Sequence, residues 1–119
     1  MRRHLPALAV LLPLFAMPVP AAAGDAPAPS AGKVLFDRWC AQCHAPGHGH
    51  PGTQQLGRMR GAKLAVLEQR GDLSAGLIRL VVRNGQSAMP PYRPSEISDA
   101  ELEQIAAHLV PPSLQRPRR

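Results

Sequence analysis

Trp39-Cys40-Ala41-Gln42-Cys43-His44 is the stretch on which the reading of this chain turns. It holds both cysteines of the sequence, three residues apart, with a histidine directly behind the second. Upstream, Ser30 can cap a helix that runs to about Trp39, with Val34, Leu35, Phe36 and Trp39 along one side. Downstream, Cys40 to Gly61 is rich in Gly, Pro and His and reads as loop. Ala62 to Gln69 is predicted as a short helix with Leu64 and Leu67 inward and Lys63, Glu68 and Arg70 outward, ended by Gly71. Asp72 or Ser74 caps the next helix, where Leu77, Ile78, Val81 and Val82 fall on one stripe and Asn84-Gly85 supplies the stop. A proline-punctuated loop, Gln86 to Ile97, follows. Ser98-Asp99-Ala100-Glu101 is then a capping box, and Leu102, Ile105, Ala106 and Leu109 form the apolar face of a last helix that Pro111 terminates. No run alternates as a strand should, so the expected fold is all-α, with about four short helices and long loops.

The ends of the chain carry a different composition. Met1-Arg2-Arg3-His4, the apolar run Leu5 to Phe15 and Ala21-Ala22-Ala23 read as a secretory signal peptide over residues 1–23, which implies export to the periplasm. Pro6, Pro13, Pro18 and Pro20 break that run, whereas a membrane span needs about 20 mostly apolar residues, so no span is expected once the signal is removed. Residues 24–29 read as a linker, 30–112 as one folded domain and 113–119 as a basic disordered tail.

This partition decides what the charge means. The full sequence of 119 residues has 14 Lys+Arg against 8 Asp+Glu, a formal charge of +6. Between Lys33 and Val110, however, nine basic residues face seven acidic ones, a net of +2. Basicity that lies mostly in a leader and a tail makes no nucleic-acid surface, and that function class is excluded. Two cysteines are also too few for a disulfide scaffold. The 2 Phe, 1 Tyr and 1 Trp leave so small a domain short of core bulk, so something besides side chains is expected to fill it.

Cys-x-x-Cys-His is the spacing of c-type haem attachment. Two thiols three residues apart can add to the two vinyl groups on one edge of a porphyrin, and the next residue, His44, then lies under the iron. Covalent attachment holds one haem c in a protein too small to enclose it, and the macrocycle supplies the missing apolar bulk. Three other readings of the cysteines compete. A thioredoxin-type dithiol needs a strand before the motif, and the preceding segment is helical. A structural zinc would draw on Cys40, Cys43 and two of His44, His48 and His50, but all lie in one short run with no second knuckle. A plain disulfide is the blandest alternative.

Haem iron takes six ligands, and Met89, in Ser87-Ala88-Met89-Pro90-Pro91, is the candidate partner of His44. It stands in a loop stiffened by prolines, just after a helix stop. Met59, between Arg58 and Arg60, is the weaker candidate; His48 and His50 are tethered too near His44 and read as surface residues. His108 reads as a packed ring on the last helix. Arg58, Arg60 or Arg93 could neutralise haem propionates.

Gly32-x-x-x-Phe36-x-x-x-Cys40-x-x-Cys43-His44, then Arg83-Asn84-Gly85 with Ala88-Met89-Pro90, then Glu101-x-x-x-Ile105-Ala106-Ala107-His108-Leu109, resembles the class I c-type cytochromes over the whole domain. Within that family, Val82-Arg83-Asn84-Gly85 and Ala88-Met89-Pro90 are similar to the cytochrome subunit of the p-cresol methylhydroxylase-type flavocytochromes. The resemblance implies the cytochrome c fold, with first and last helices crossing near Gly32 and Phe36 against Ile105 and Leu109. It also implies that a proline carbonyl, nearest Pro51, accepts the Nδ1 proton of His44. Family members often carry Tyr where this chain has His108. The activity implied is one-electron transfer through a His44/Met89-ligated haem, with redox proteins as partners and no catalysis. One alternative is a dedicated cytochrome subunit that accepts electrons from a flavin-dependent dehydrogenase and passes them to a terminal acceptor. Another, of a different class, is a haem enzyme or gas sensor in which Met89 is labile.

Overall fold

The computed structural model describes residues 28–110. The expected signal peptide, most of the linker and the basic tail lie outside the described residues. Helix α1, Ala31–Trp39, begins where the Ser30 hydroxyl accepts a hydrogen bond from the Lys33 amide at 3.2 Å. It buries Gly32 and Phe36, while Val34, expected on the inner side, is 53% exposed. Helix α4, Ala75–Asn84, is capped by Ser74 rather than Asp72 and stopped by Gly85, whose φ of 73° suits glycine. Helix α5, Asp99–Leu109, carries the expected capping box: Ser98 and Glu101 each bond the other's backbone amide.

Two expectations for the middle of the chain are corrected. Cys40 to Gly61 is not all loop: it holds a single turn, α2, over Ala41–His44, and a ten-residue helix, α3, over Pro51–Arg60. Pro51 fills the first position of α3, where its missing N–H costs nothing and its fixed φ is already helical. The good helix formers from Gln54 to Arg60 then outweigh Gly52 and Gly57. Ala62 to Gln69, in turn, is not one helix but two 3₁₀ turns, Ala62–Leu64 and Leu67–Gln69. The β-branched Val66 between them is extended, with φ −93° and ψ 116°. Leu64 and Leu67 are half-buried as expected.

Helix α1 crosses α5 so closely at Gly32 that a β-carbon there would stand 2.2 Å from the Gln104 carbonyl oxygen. On either side of the crossing, Phe36 packs with Ile105 and Leu109, and the cluster extends through Leu102, Ile97, Ile78 and Val82 to α4. The His108 ring stacks at a tilt on Phe36, centroids 5.7 Å apart, and its Nε2 lies 2.8 Å from a Glu68 carboxylate oxygen. Among the described residues there is no strand, only an isolated bridge between Gln86 and Met89. No helix among them is long and apolar enough to cross a membrane.

Candidate haem site

Cys40 continues from α1 with helical backbone angles, and both Cys43 and His44 amides donate to its carbonyl, at 3.1 and 2.9 Å. Cys40 and Cys43 therefore lie three apart on one continuous helical turn, which places them on the same side. The chain then doubles back. Thr53 of α3 donates its hydroxyl hydrogen bond to the Ala45 carbonyl at 2.8 Å, and His50 Nδ1 stands 2.9 Å from the Gln42 carbonyl. These contacts fold α3 against the attachment turn, and they explain where His50 is spent. The approach is close enough that a β-carbon on Gly52 would stand 2.7 Å from His44 Cε1.

On the other side of the chain, the residues after α4 make a tight turn. Gln86 donates to the Met89 carbonyl at 3.0 Å and Met89 to the Gln86 carbonyl at 2.9 Å. Ser87 takes φ 55°, a left-handed angle uncommon outside glycine. Tyr92 returns to the helix, its amide donating to the Val82 carbonyl at 2.8 Å, and its ring meets Trp39 edge-on at 6.1 Å.

Between these parts lies one cavity of about 600 Å³, within the range that buries a cofactor-sized ligand. Cys40, Cys43, His44 and Met89 all line it, with Leu56, Leu67, Ile78, Val82 and Leu109 among the apolar residues. His48, His50 and His108 do not, as expected. Arg58 and Arg60 reach the wall but Arg93 does not. Arg70, expected to point outward, also lines it; its side chain is only 7% exposed and makes two bonds to Asp72, at 2.8 and 2.6 Å. The signal was the pair of opposite charges flanking Gly71, but nothing in the sequence said that Arg70 would be buried. Met59 is 61% exposed, as expected of a surface residue, yet its side of α3 touches the same cavity.

The chemistry of the wall discriminates between the rival readings. Burial, with Cys43 adding to it, pushes the Cys40 thiol up to about 11, the reverse of the low value a reactive dithiol needs. Cys40 and Cys43 are not joined to each other, which leaves both sulfurs for attachment. Among the described residues, no three His, Cys, Asp or Glu side chains converge as a zinc site requires. Burial also lowers the pKa of His44, which keeps its imidazole neutral and able to ligate. Pro51 is not its partner: His44 Nδ1 is buried with no hydrogen bond, and Trp39 Nε1 is likewise orphaned. Paired thiols, a neutral imidazole and a thioether around an apolar cavity fit a haem.

Fold and cavity together define a small haem-binding domain of the c type. Residues 27–109 match the family model described as "Cytochrome C oxidase, cbb3-type, subunit III". Cytochrome c6 of Synechocystis sp. is 32% identical over 106 residues, which are 89% of this chain and 81% of that protein. The cytochrome c subunit of 4-cresol dehydrogenase (hydroxylating) from Pseudomonas putida is 40% identical over 91 residues, 74% of this chain and 68% of its own. A crystal structure of p-cresol methylhydroxylase with substrate bound aligns at 36% identity and a TM-score of 0.49, over 67% of this chain and 89% of that one. The chain belongs to this family, within the class I c-type cytochromes. It is an electron-transfer protein whose cofactor is a covalently bound haem c.

Proposed function

We propose that the protein is a periplasmic one-electron carrier, not an enzyme. In this reading Cys40 and Cys43 would hold the haem by thioethers, and His44 and Met89 would ligate its iron. The observation that carries it is the convergence of these four residues, from two distant parts of the chain, on one apolar cavity. The haem, when bound, takes up and releases a single electron at its iron. The protein's part would be to supply an imidazole from His44 and a thioether from Met89, so that the redox state could change while the ligands do not. A neutral, soft thioether favours Fe(II) and so raises the potential. The walls are mainly apolar, and Arg58, Arg60 and Arg70, the last already bonded to Asp72, are the cations among them that could face the two propionates. The route to the periplasm is a signal peptide over residues 1–23, followed by the linker 24–29, the haem domain 30–112 and the basic tail 113–119.

Heating the purified protein in alkaline pyridine with reductant tests the cofactor attachment. A haemochrome that stays with the denatured chain is expected; its absence would falsify the reading. Unchanged spectra of both redox states on adding carbon monoxide or cyanide support two protein ligands. Ready binding of either would favour an enzyme or gas sensor with a labile Met89.

The 40% identity to the 4-cresol dehydrogenase cytochrome subunit favours a second reading, in which this chain is docked on a flavin-dependent dehydrogenase and hands its electrons to a further acceptor. Purification from the native source separates the two. Elution at its own mass, beside a flavoenzyme that turns over undiminished without it, would eliminate the docked subunit.

A further inference from the structure

The turn that carries Met89 is closed by its own backbone bonds, but those bonds do not fix where the turn stands. The guanidinium of Arg83, together with the Tyr92 amide bonded to the Val82 carbonyl, ties the segment that follows the turn back to α4. Arg83 lies in the last turn of α4, its side chain 21% exposed, and three polar groups from elsewhere in the chain converge on it. Nη1 donates to the Tyr92 carbonyl at 3.0 Å, and Nη2 to the Ile97 carbonyl at 2.9 Å and the Asp99 carboxylate at 2.7 Å. One side chain thus joins α4, both ends of the segment that follows Met89, and the first residue of α5. The Tyr92 and Ile97 carbonyls belong to an irregular segment, and removing Arg83 takes away the donor that each of them uses. Lysine could not replace it fully, because one ammonium lacks the planar fork that serves separated acceptors together.

The loop that leaves α4 at Gly85 and reaches α5 at Ser98 is long for its two helical anchors. Arg83 divides it at Tyr92, next to the amide of Tyr92 bonded to Val82. What is left free to move is the short piece bearing Met89. We infer that Arg83 is a positioning residue for Met89: it holds the thioether turn in place on the cavity wall, and so sets how seldom the sulfur leaves the iron. This rests on the reading that Met89 is the sixth ligand.

Imidazole can bind the ferric iron only while Met89 is off, so its apparent affinity scales with the fraction of open protein. The test titrates ferric, haem-loaded protein with imidazole at neutral pH, well below its unfolding temperature. Arg83→Gln should bind imidazole at least about tenfold more tightly than the parent, the equivalent of one lost charge-assisted hydrogen bond. Arg83→Lys should fall between the two, and Asp99→Asn, which spares both carbonyl contacts, should stay within about twofold of the parent. Ala106→Gly, a buried change in α5 away from the cavity that costs about 1 kcal/mol of helix stability, should leave the affinity unchanged. Met89→Ala should bind most tightly of all. Parent-like affinity in Arg83→Gln, or an equal gain in Ala106→Gly, overturns the inference while a tight Met89→Ala leaves the ligand assignment standing. A Met89→Ala no tighter than the parent overturns both. Should Arg83→Gln fail to accumulate, Arg83→Lys decides alone: a gain of about threefold or more supports the positioning role, and none refutes it.

Discussion

The backbone of Gly52 lies against the imidazole of His44, leaving no room for a side chain: a β-carbon there would stand 2.7 Å from Cε1, 2.9 Å from Nδ1 and 2.8 Å from the Cys43 carbonyl oxygen. Helix propensity alone would favour Ala at this position in α3 by up to about 1 kcal/mol. The clash should outweigh it, because the Cys43 oxygen is backbone and cannot swing away, and overpacking of this kind costs roughly 1–3 kcal/mol. Gly52→Ala is therefore expected to lower the thermal midpoint by several degrees and to disturb the haem absorption spectrum. Gly57→Ala is the matched control, since its β-carbon would meet only Ala65, at an ordinary 3.5 Å. Thermal scans in which both substitutions stabilise equally would contradict this packing of α3 on His44.

At the crossing of α1 and α5 the same logic acts on a harder neighbour. A β-carbon on Gly32 would stand 2.2 Å from the Gln104 carbonyl oxygen and 2.9 Å from His108 Cβ, both on α5. Relief requires the helices to separate, which opens the contact between Phe36 and Ile105. Gly32→Ala should cost at least about 3 kcal/mol, among the larger effects of single substitutions. Denaturant titration measures it directly, and a midpoint within error of the parent would show that the crossing is looser than described.

What could be read in the sequence follows from where each signal lies. The helices α1, α4 and α5 announce themselves through Ser30, Ser74 and Ser98 and, for α4, the Gly85 stop, because capping is local chemistry. Helix α3 does not, because it has no core-facing apolar stripe: Thr53 is its one buried residue, and tertiary bonds from Thr53 and His50 to the attachment turn hold it in place. The site shows the same division. Cys40, Cys43, His44 and Met89 are legible as residue types at telling spacings. Arg83 and Arg70 are not, since Arg83 works through carbonyls 9 and 14 residues away and Arg70 through burial on the cavity wall.

His108 tests whether a residue that departs from the family's usual Tyr has a role in the redox site. It does not line the cavity; its ring packs on Phe36 and its Nε2 faces Glu68, which also lies 3.6 Å from Lys33. His108→Tyr keeps an aromatic ring on Phe36 and gives up one partly exposed polar contact with Glu68, worth at most about 1 kcal/mol. The expected outcome is a thermal midpoint within a few degrees of the parent and an unchanged visible spectrum. A shifted reduction potential in this variant would reveal a coupling between α5 and the iron that the geometry does not contain.

Acid should loosen α5 at its N-terminus before the helix crossing fails. Hydrogen bonds from the Ser98 side chain and then its backbone amide hold the Glu101 carboxyl below its ordinary 4.5. The hydrogen bond from Arg70 does the same for Asp72, below an ordinary 3.8. A carboxyl whose native pKa is depressed contributes its stability fully above the unfolded value and loses it as the pH falls through the native one. Both contributions are therefore present at neutral pH and decline below about pH 4. Glu101→Gln separates charge from capping, because a glutamine amide can still accept from the Ser98 backbone. At pH 7 the variant should be close to the parent, and between about pH 4 and pH 2 its thermal midpoint should fall less steeply. Parallel declines in the two proteins would mean that the Ser98–Glu101 bonds are not what depresses the carboxyl, and that the acid sensitivity of the domain originates elsewhere.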